Sequence, residues 1–210
     1  MIININKPAG WTSFDVVKKV RGIIKEKKVG HAGTLDPFAE GVLVLGTGPD
    51  TKKLTNIATA KKTYRANLNL GKATDTLDLD GKISAEAVVP ELTKETIASI
   101  LASFIGTKEQ IPPMYSAKHV NGQRLYKLAR KNKTIERDPV MISIDQISLL
   151  DYTEPVITFN VTCSKGTYVR VLGVDIAAKL GTVGHLTSLT RTRVGSVSYT
   201  HLTLPTILLV

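Results

Sequence analysis

The spacing of apolar residues predicts a chain in which strands and helices alternate. Residues 1–7 and residues 64–70 alternate apolar and polar side chains, and both stretches are expected to form strands. Apolar residues recur at helical spacing over residues 16–24, after Thr12 and Ser13, either of which can cap a helix. The other predicted elements are a strand at 42–45, a short helix at 51–60, an amphipathic helix from Thr93 to Gly106, a helical face over 125–129, strands at 140–150 and 156–163, and a helix at 171–180.

This order of elements favours a mixed α/β protein, although it does not reveal the strand order. A chain of 210 residues fits one large domain, or one domain with an appendage, and no repeat or linker divides it. Hydrophobic residues make up 42% of the chain, enough for a sizeable core. Residues 198–210, SYTHLTLPTILLV, keep neither helical nor strand periodicity. We expect them to be an atypical tail that packs poorly, with Leu204, Ile207 and Leu208 outside the core.

The chain carries a formal net charge of +10, and a protein this basic usually meets a polyanion. Nucleic acid is the first candidate and an anionic membrane surface the second. No apolar run approaches the roughly 18 residues of a transmembrane helix, and no secretory signal is visible. The single cysteine, Cys163, cannot form an internal disulfide, which suits the cytoplasm.

Metal binding is not expected. One cysteine and four scattered histidines argue against a structural zinc site. The segment TDTLDLDG, with Asp75, Asp78 and Asp80, has the acid spacing of a calcium loop. The rest of the EF-hand pattern, including its final glutamate, is missing.

Two groups of cations are candidates for contact with phosphates. The first faces away from the apolar side of the helix at 16–24: Lys18, Lys19, Arg21, Lys25, Lys27 and Lys28. The second surrounds the helical face at 125–129, near Tyr115 and Tyr126: Arg124, Lys127, Arg130, Lys131, Lys133 and Arg137. Basic residues interleaved with aromatic ones suit an RNA surface. A solvated surface with no ligand explains either group equally well.

The segment GHAGTLDPFAEGVLVL, residues 30–45, holds the most specific chemistry in the chain. Its glycine-framed loop contains one imidazole, His31, and one carboxylate, Asp36. Pro37 fixes its own φ and restricts Asp36 to an extended conformation, so the loop is expected to be a rigid bracket around one acid. Taken alone, an aspartate before proline is also an ordinary turn residue whose side chain bonds to nearby backbone.

Six stretches between residue 2 and about 196 form an ordered set of motifs: KPAGWTS, GHAGTLDPFAEGVL, KTYRANLNLGKATDTLDLDG, QIPPMYSAKHVNGQRLY, KGTYVR and HLTSLTRTRVGS. Taken together, these stretches resemble the bacterial tRNA pseudouridine-55 synthases of the TruB family. The resemblance covers nearly the whole chain apart from the tail. It implies the pseudouridine synthase fold, an α+β domain over residues 1–197. That fold is a mixed, largely antiparallel sheet flanked by helices, with a cleft across its middle.

The resemblance also implies a role for individual residues. Asp36 would be the catalytic aspartate. His31 would lie against the RNA near the displaced uridine, and Tyr64 would stack on the target base. Arg170 would pair with the aspartate. The remaining implied residues are Tyr168 and Leu189 lining the pocket, Asp75 as a polar neighbour, and Lys7 and Pro8 structuring the N-terminal side of the cleft.

The implied reaction is isomerisation of uridine 55 in the T arm of tRNA, by base flipping and with no cofactor or metal. A cytoplasmic monomer is expected. The sequence departs from the family pattern after Gly195 and Ser196, and we expect no C-terminal PUA-type RNA-binding domain. Three alternatives stay open: a catalytically weak or silent tRNA-binding module, an N-glycosidic hydrolase that uses Asp36, and a relative that modifies another RNA.

Overall fold

The computed structural model describes residues 1–120, 122–131 and 133–198. Its strands are β1 (Ile2–Lys7), β2 (Val29–His31), β3 (Glu40–Thr47), β4 (Lys62–Leu70), β5 (Lys72–Thr74), β6 (Ile83–Glu86), β7 (Gly106–Gln110), β8 (His119–Val120), β9 (Gln123–Arg124), β10 (Val140–Thr153), β11 (Val156–Cys163), β12 (Gly184–Val194) and β13 (Val197–Ser198). Its α-helices are α1 (Ser13–Ile24), α2 (Leu54–Thr59), α3 (Lys94–Ala102), α4 (Leu125–Ala129) and α5 (Val169–Lys179), and a 3-10 helix covers Gly48–Lys53.

The main sheet is mixed and mainly antiparallel, which confirms the expected fold class. Its strand order within the described chain is β1-β3-β12-β4-β11-β10-β7, with β2 paired to β3 and β13 to β12. The pairing of β12 with β3 is parallel and places Thr190 beside Glu40 and Arg191 beside Gly41. Two short hairpins, β5-β6 and β8-β9, stand apart from this sheet.

Contacts between Cα atoms divide the chain into two compact units. The first unit contains Met1–Arg65, Val161–Lys165 and the segment that begins at Ser188, and the second contains Ala66–Asn160 and Gly166–Thr187. In the first unit, β3 is buried on both faces. Leu43 and Leu45 pack in a cluster with α1, and Val42 and Val44 pack in a second cluster with α2. None of the helices described is long and apolar enough to cross a membrane.

The strongest periodic patterns gave correct elements. Helix α1 begins after Thr12, whose hydroxyl accepts a hydrogen bond from the Asp15 amide while the Asp15 carboxylate accepts one from the Thr12 amide. This capping box satisfies two amides at the helix start. In β4 every second side chain is buried from Tyr64 to Leu70, as the alternation predicted.

Other boundaries and elements were wrong or missed. Helix α3 ends at Ala102, and Gly106, expected to stop it, instead begins β7 with φ +110°. Ile23 and Ile105, which lie within the ranges predicted as helices with an apolar face, are exposed. The sequence did not predict β2, β5, β6, β7 or β12, since these segments are short, exposed or rich in threonine and arginine. Residues 199–210, which include Leu204, Ile207 and Leu208 of the expected tail, lie outside the described residues, as does Asn121.

Candidate active site

Asp36 lies in the loop between β2 and β3, in the first unit, and its side chain is half-buried. The loop is held from the start of α1. The buried Ser13 hydroxyl accepts a hydrogen bond from the Leu35 amide at 2.8 Å and donates to the Leu35 carbonyl at 3.2 Å. The Gly10 amide donates to the Pro37 carbonyl at 2.8 Å. Both neighbours of Asp36 are therefore fixed by the segment that follows β1.

Lys7, a buried cation at the end of β1, also binds the Asp36 loop. Its side chain is fully buried, and Nζ donates to the carbonyls of Pro8 at 2.9 Å, Trp11 at 2.6 Å and Pro37 at 3.3 Å. Burial lowers the pKa of Lys7 to about 8, while the negative charge of Asp36 acts in the opposite direction. Lys7 therefore ties the N-terminal turn to the Asp36 loop and lies within electrostatic range of its carboxylate.

Tyr64 lies on β4 in the same unit and is 9% exposed. The charges of Arg191 and Asp36 both act on its hydroxyl electrostatically. Burial raises the pKa of Tyr64, so the neutral phenol is the stable form at neutral pH. The first unit therefore brings Asp36, Tyr64, Lys7 and Arg191 into one charged cluster.

Two more of the predicted residues lie in the first unit. His31 ends β2 and is half-buried, and burial is the main reason that its pKa is lowered, with Arg191 as a second cause. The imidazole is therefore neutral at pH 7. Leu189 is buried on β12, two residues before Arg191 and so on the same face of that strand.

Arg170 lies in the first turn of α5, in the second unit, and is 2% exposed. Its Nη1 lies 3.4 Å from Oδ2 of Asp78, which is also buried. The same guanidinium donates to the carbonyls of Thr76 at 2.6 Å and Tyr115 at 2.8 Å. Arg170 is thus a buried, fully oriented cation rather than a surface charge, and its pairing with Asp36 stays a prediction.

The other two predicted residues also lie in the second unit. Asp75 is exposed, and its carboxylate accepts a hydrogen bond from the Lys82 amide at 2.8 Å. Tyr168 precedes α5 and is half-buried. Its amide donates to Gln110 Oε1 at 2.8 Å, and its carbonyl accepts from Gln110 Nε2 at 3.1 Å. Their contacts with substrate stay predictions.

Sequence reasoning missed Asp78 and Arg191. Asp78 is one of three acids in TDTLDLDG, and the sequence does not indicate which of them is buried. Arg191 has one usable signal, because a strand through Leu189 would place residue 191 on the same face. No group of three His, Cys, Asp or Glu side chains in the described part of the chain is arranged to hold a metal ion.

Solved structures show which class of protein this fold defines. The fold is similar to that of a chain in the crystal structure of a Cbf5-Nop10-Gar1 complex. The match covers 91% of this chain and 48% of that chain, with a TM-score of 0.71 and 27% sequence identity. The fold is that of the pseudouridine synthases.

Sequence comparison then gives the family. Residues 21–169 match the model of the TruB family pseudouridylate synthases, N-terminal domain. The chain is 49% identical over 193 residues to tRNA pseudouridine synthase B of Microcystis aeruginosa, covering 90% of this chain and 66% of that relative. It is 44% identical over 203 residues to the enzyme of the same name from Parabacteroides distasonis, covering 94% of this chain and 86% of that relative. This chain belongs to the TruB family. It spans less than two thirds of the length of the Microcystis relative.

Proposed function

We propose that residues 1–197 form the catalytic domain of a tRNA pseudouridine synthase that converts uridine 55 in the T arm to pseudouridine. The protein would act as a cytoplasmic monomer and use no cofactor. The proposal rests on family membership and on the identity of relatives named tRNA pseudouridine synthase B. It includes the catalytic role of Asp36 and the substrate contacts expected of His31, Tyr64, Tyr168 and Leu189.

One observation carries the proposal. Asp36 is half-buried on a loop whose flanking residues are fixed by Ser13 and Lys7, and its charge reaches the Tyr64 hydroxyl. A carboxylate that keeps access to solvent on a rigid loop can meet a substrate without a large ordering cost. An aspartate that served only as a turn residue would not require this number of hydrogen bonds to the residues on either side of it.

The chemistry requires an acid of this kind and no outside reagent. The bond between ribose C1′ and uracil N1 breaks, and its electron pair stays on the uracil ring. The ring turns, C5 forms a new bond to C1′, C5 loses its proton and N1 gains one, so that product and substrate are isomers. Asp36 can attack C1′, attack the base or remove the C2′ proton, and each route requires the ionised form. We include in the proposal the expected help of the Arg170 guanidinium in keeping that form.

Tyr64 suits the step that exposes the base. A uridine in a folded loop is stacked, and extruding it costs a few kcal/mol. Stacking on an aromatic ring returns about 1–3 kcal/mol per base. The Asp36 charge also acts on Tyr64, whose neutral hydroxyl is suited to relay the C5 proton by taking it up while passing its own proton on.

The basic surfaces support an RNA substrate. On α1 and the turn after it, Lys18, Lys25, Lys27 and Lys28 are all exposed. In the second unit, Arg130 lies 5.5 Å from the ring centroid of Tyr126. An exposed cation stacked on an aromatic ring is a common feature of single-stranded RNA sites.

The test uses a tRNA transcript with tritium at C5 of its uridines. The protein should release the tritium of one uridine per tRNA into solvent, and the modified position should be 55. Asp36→Asn should abolish this release in a single turnover while tRNA affinity stays within about tenfold of the original protein. Asp138→Asn, an exposed acid, is the matched control and should behave as the unmodified chain.

Each alternative gives a different result. A silent tRNA-binding module binds the transcript and releases no tritium. A hydrolase releases free uracil, whereas isomerisation leaves the mass of the RNA unchanged. Release from a different RNA, with none from tRNA, would replace the proposed substrate, and release by Asp36→Asn would refute the role of the aspartate.

A further inference from the structure

Arg191 is the largest of the fully buried side chains in the described chain, with 1% of its surface exposed. A buried guanidinium is costly unless its donors find partners. Arg191 stands on β12, where five of the other ten residues are threonine or leucine and an apolar residue of similar length would pack without this cost. The presence of the charge at this position therefore needs an explanation.

The guanidinium holds both ends of the loop that carries Asp36. Its Nε donates to the Val42 carbonyl at 2.8 Å, in β3 just after the loop ends. Its Nη2 donates to the Gly33 carbonyl at 3.1 Å and its Nη1 approaches the Thr34 carbonyl at 3.5 Å, both at the N-terminal end. Since the guanidinium is planar and rigid, these bonds fix the span between residues 33 and 42.

The charge of the same guanidinium also acts on Tyr64, the second group assigned to the chemistry. Tyr64 and Arg191 lie in the same compact unit, on strands β4 and β12, which are neighbours in the main sheet. One side chain thus holds the loop of the acid and acts electrostatically on the phenol.

We propose that Arg191 is a positioning residue that holds the loop of Asp36 and so sets the separation of Asp36 and Tyr64. The inference rests on the proposed function, because these two groups are assigned the chemistry there. Arg191 touches no reacting atom and acts through its partners. A displacement of about 1 Å in such an arrangement can cost on the order of 10²-fold in rate.

The test compares Arg191→Lys with Arg193→Lys on the same strand. Arg193 is exposed and donates Nε to the Gly195 carbonyl at 2.7 Å, so it provides a matched control. Lysine keeps the charge at residue 191 and loses the planar fork. We expect Arg191→Lys to lower the single-turnover rate on tRNA on the order of 10²-fold with the dissociation constant for tRNA changed less than about threefold. Arg193→Lys should change neither.

Two further measurements separate positioning from a merely structural role. In a Tyr64→Phe background, Arg191→Lys should cost clearly less than in the original protein, because part of its effect comes from the misplacement of Asp36 relative to the Tyr64 hydroxyl. Independent, multiplying effects would overturn the link to Tyr64. A rate loss matched by an equal loss of folded protein would overturn positioning as a whole.

Hydrogen exchange tests whether Arg191 fixes the loop, and it does not depend on an activity assay. Amides within residues 33–42 should exchange faster in Arg191→Lys and at the original rate in Arg193→Lys. Unchanged exchange in this segment would refute the proposal even if the enzyme is active. If the original protein is inactive on every RNA, the proposed function fails, while the exchange result still decides whether Arg191 fixes the loop.

Discussion

The close approach of Gly41 to Arg191 gives a sharp test of how the Asp36 loop is held. Gly41 begins the buried part of β3 with φ +105°, a conformation that residues with a side chain rarely adopt. A Cβ at this position would collide with the Arg191 carbonyl oxygen and would lie 2.8 Å from the Arg191 amide nitrogen and 3.0 Å from its carbonyl carbon. These are backbone atoms of a paired strand, so they cannot rotate away as a side chain would.

Two penalties set the size of the effect of Gly41→Ala. A residue forced into such a backbone region costs about 1–3 kcal/mol. Overpacking against fixed atoms costs about 1–3 kcal/mol more. The sum of roughly 2–6 kcal/mol is a large share of the 5–15 kcal/mol by which domains are usually stable. For a chain of this size, 1 kcal/mol shifts Tm by about 2–4 °C, so a loss on the order of 10 °C is expected.

Gly22→Ala provides the control, because the same substitution is expected to raise the melting temperature there instead of lowering it. Gly22 lies inside α1, has ordinary helical φ, and a Cβ there would meet no atom within 4 Å. Alanine in a helix interior is favoured over glycine by about 1 kcal/mol. Thermal melts followed by circular dichroism should therefore show Gly41→Ala well below, and Gly22→Ala slightly above, the original protein. If Gly41→Ala melts within about 2 °C of the original, the contact between β3 and β12 is not as close as described.

Two other predictions concern charge. Because burial lowers the pKa of Lys7 to about 8 in the folded chain, the unfolded chain binds more protons from about pH 8 to 10.5. The free energy of unfolding should therefore rise with pH across this window more steeply in the original protein than in Lys7→Met. Parallel urea titrations of the two proteins across the window measure this rise. Equal slopes would contradict the lowered pKa of Lys7. The affinity for tRNA should fall steeply with salt, with a log–log slope of roughly −0.7 to −0.9 per phosphate contact. Lys27→Ala should make this slope shallower by about one contact, and a flat response in the original protein would exclude the exposed lysines as a binding surface.

The sequence alone determined the elements whose signal is local. The capping residue Thr12 and the helical spacing of Val16, Val17 and Val20 were enough for α1, because a helix start and an apolar face are both encoded within a few residues. The alternation in β4 likewise placed Tyr64 on its buried face. The family motifs identified Asp36 as the candidate acid.

Only the tertiary structure decided which charged residues are buried. Arg191 reads as a surface arginine, because its carbonyl partners lie 149 to 158 residues earlier in the chain. Asp78 is one acid among three until Arg170, far along the chain, is placed beside it. Strand β12 was missed for the same reason, since its identity as a strand depends on the neighbours that pair with it. Local patterns act over one or two turns, whereas the desolvation of a charge is offset only by donors and acceptors that the completed fold brings together.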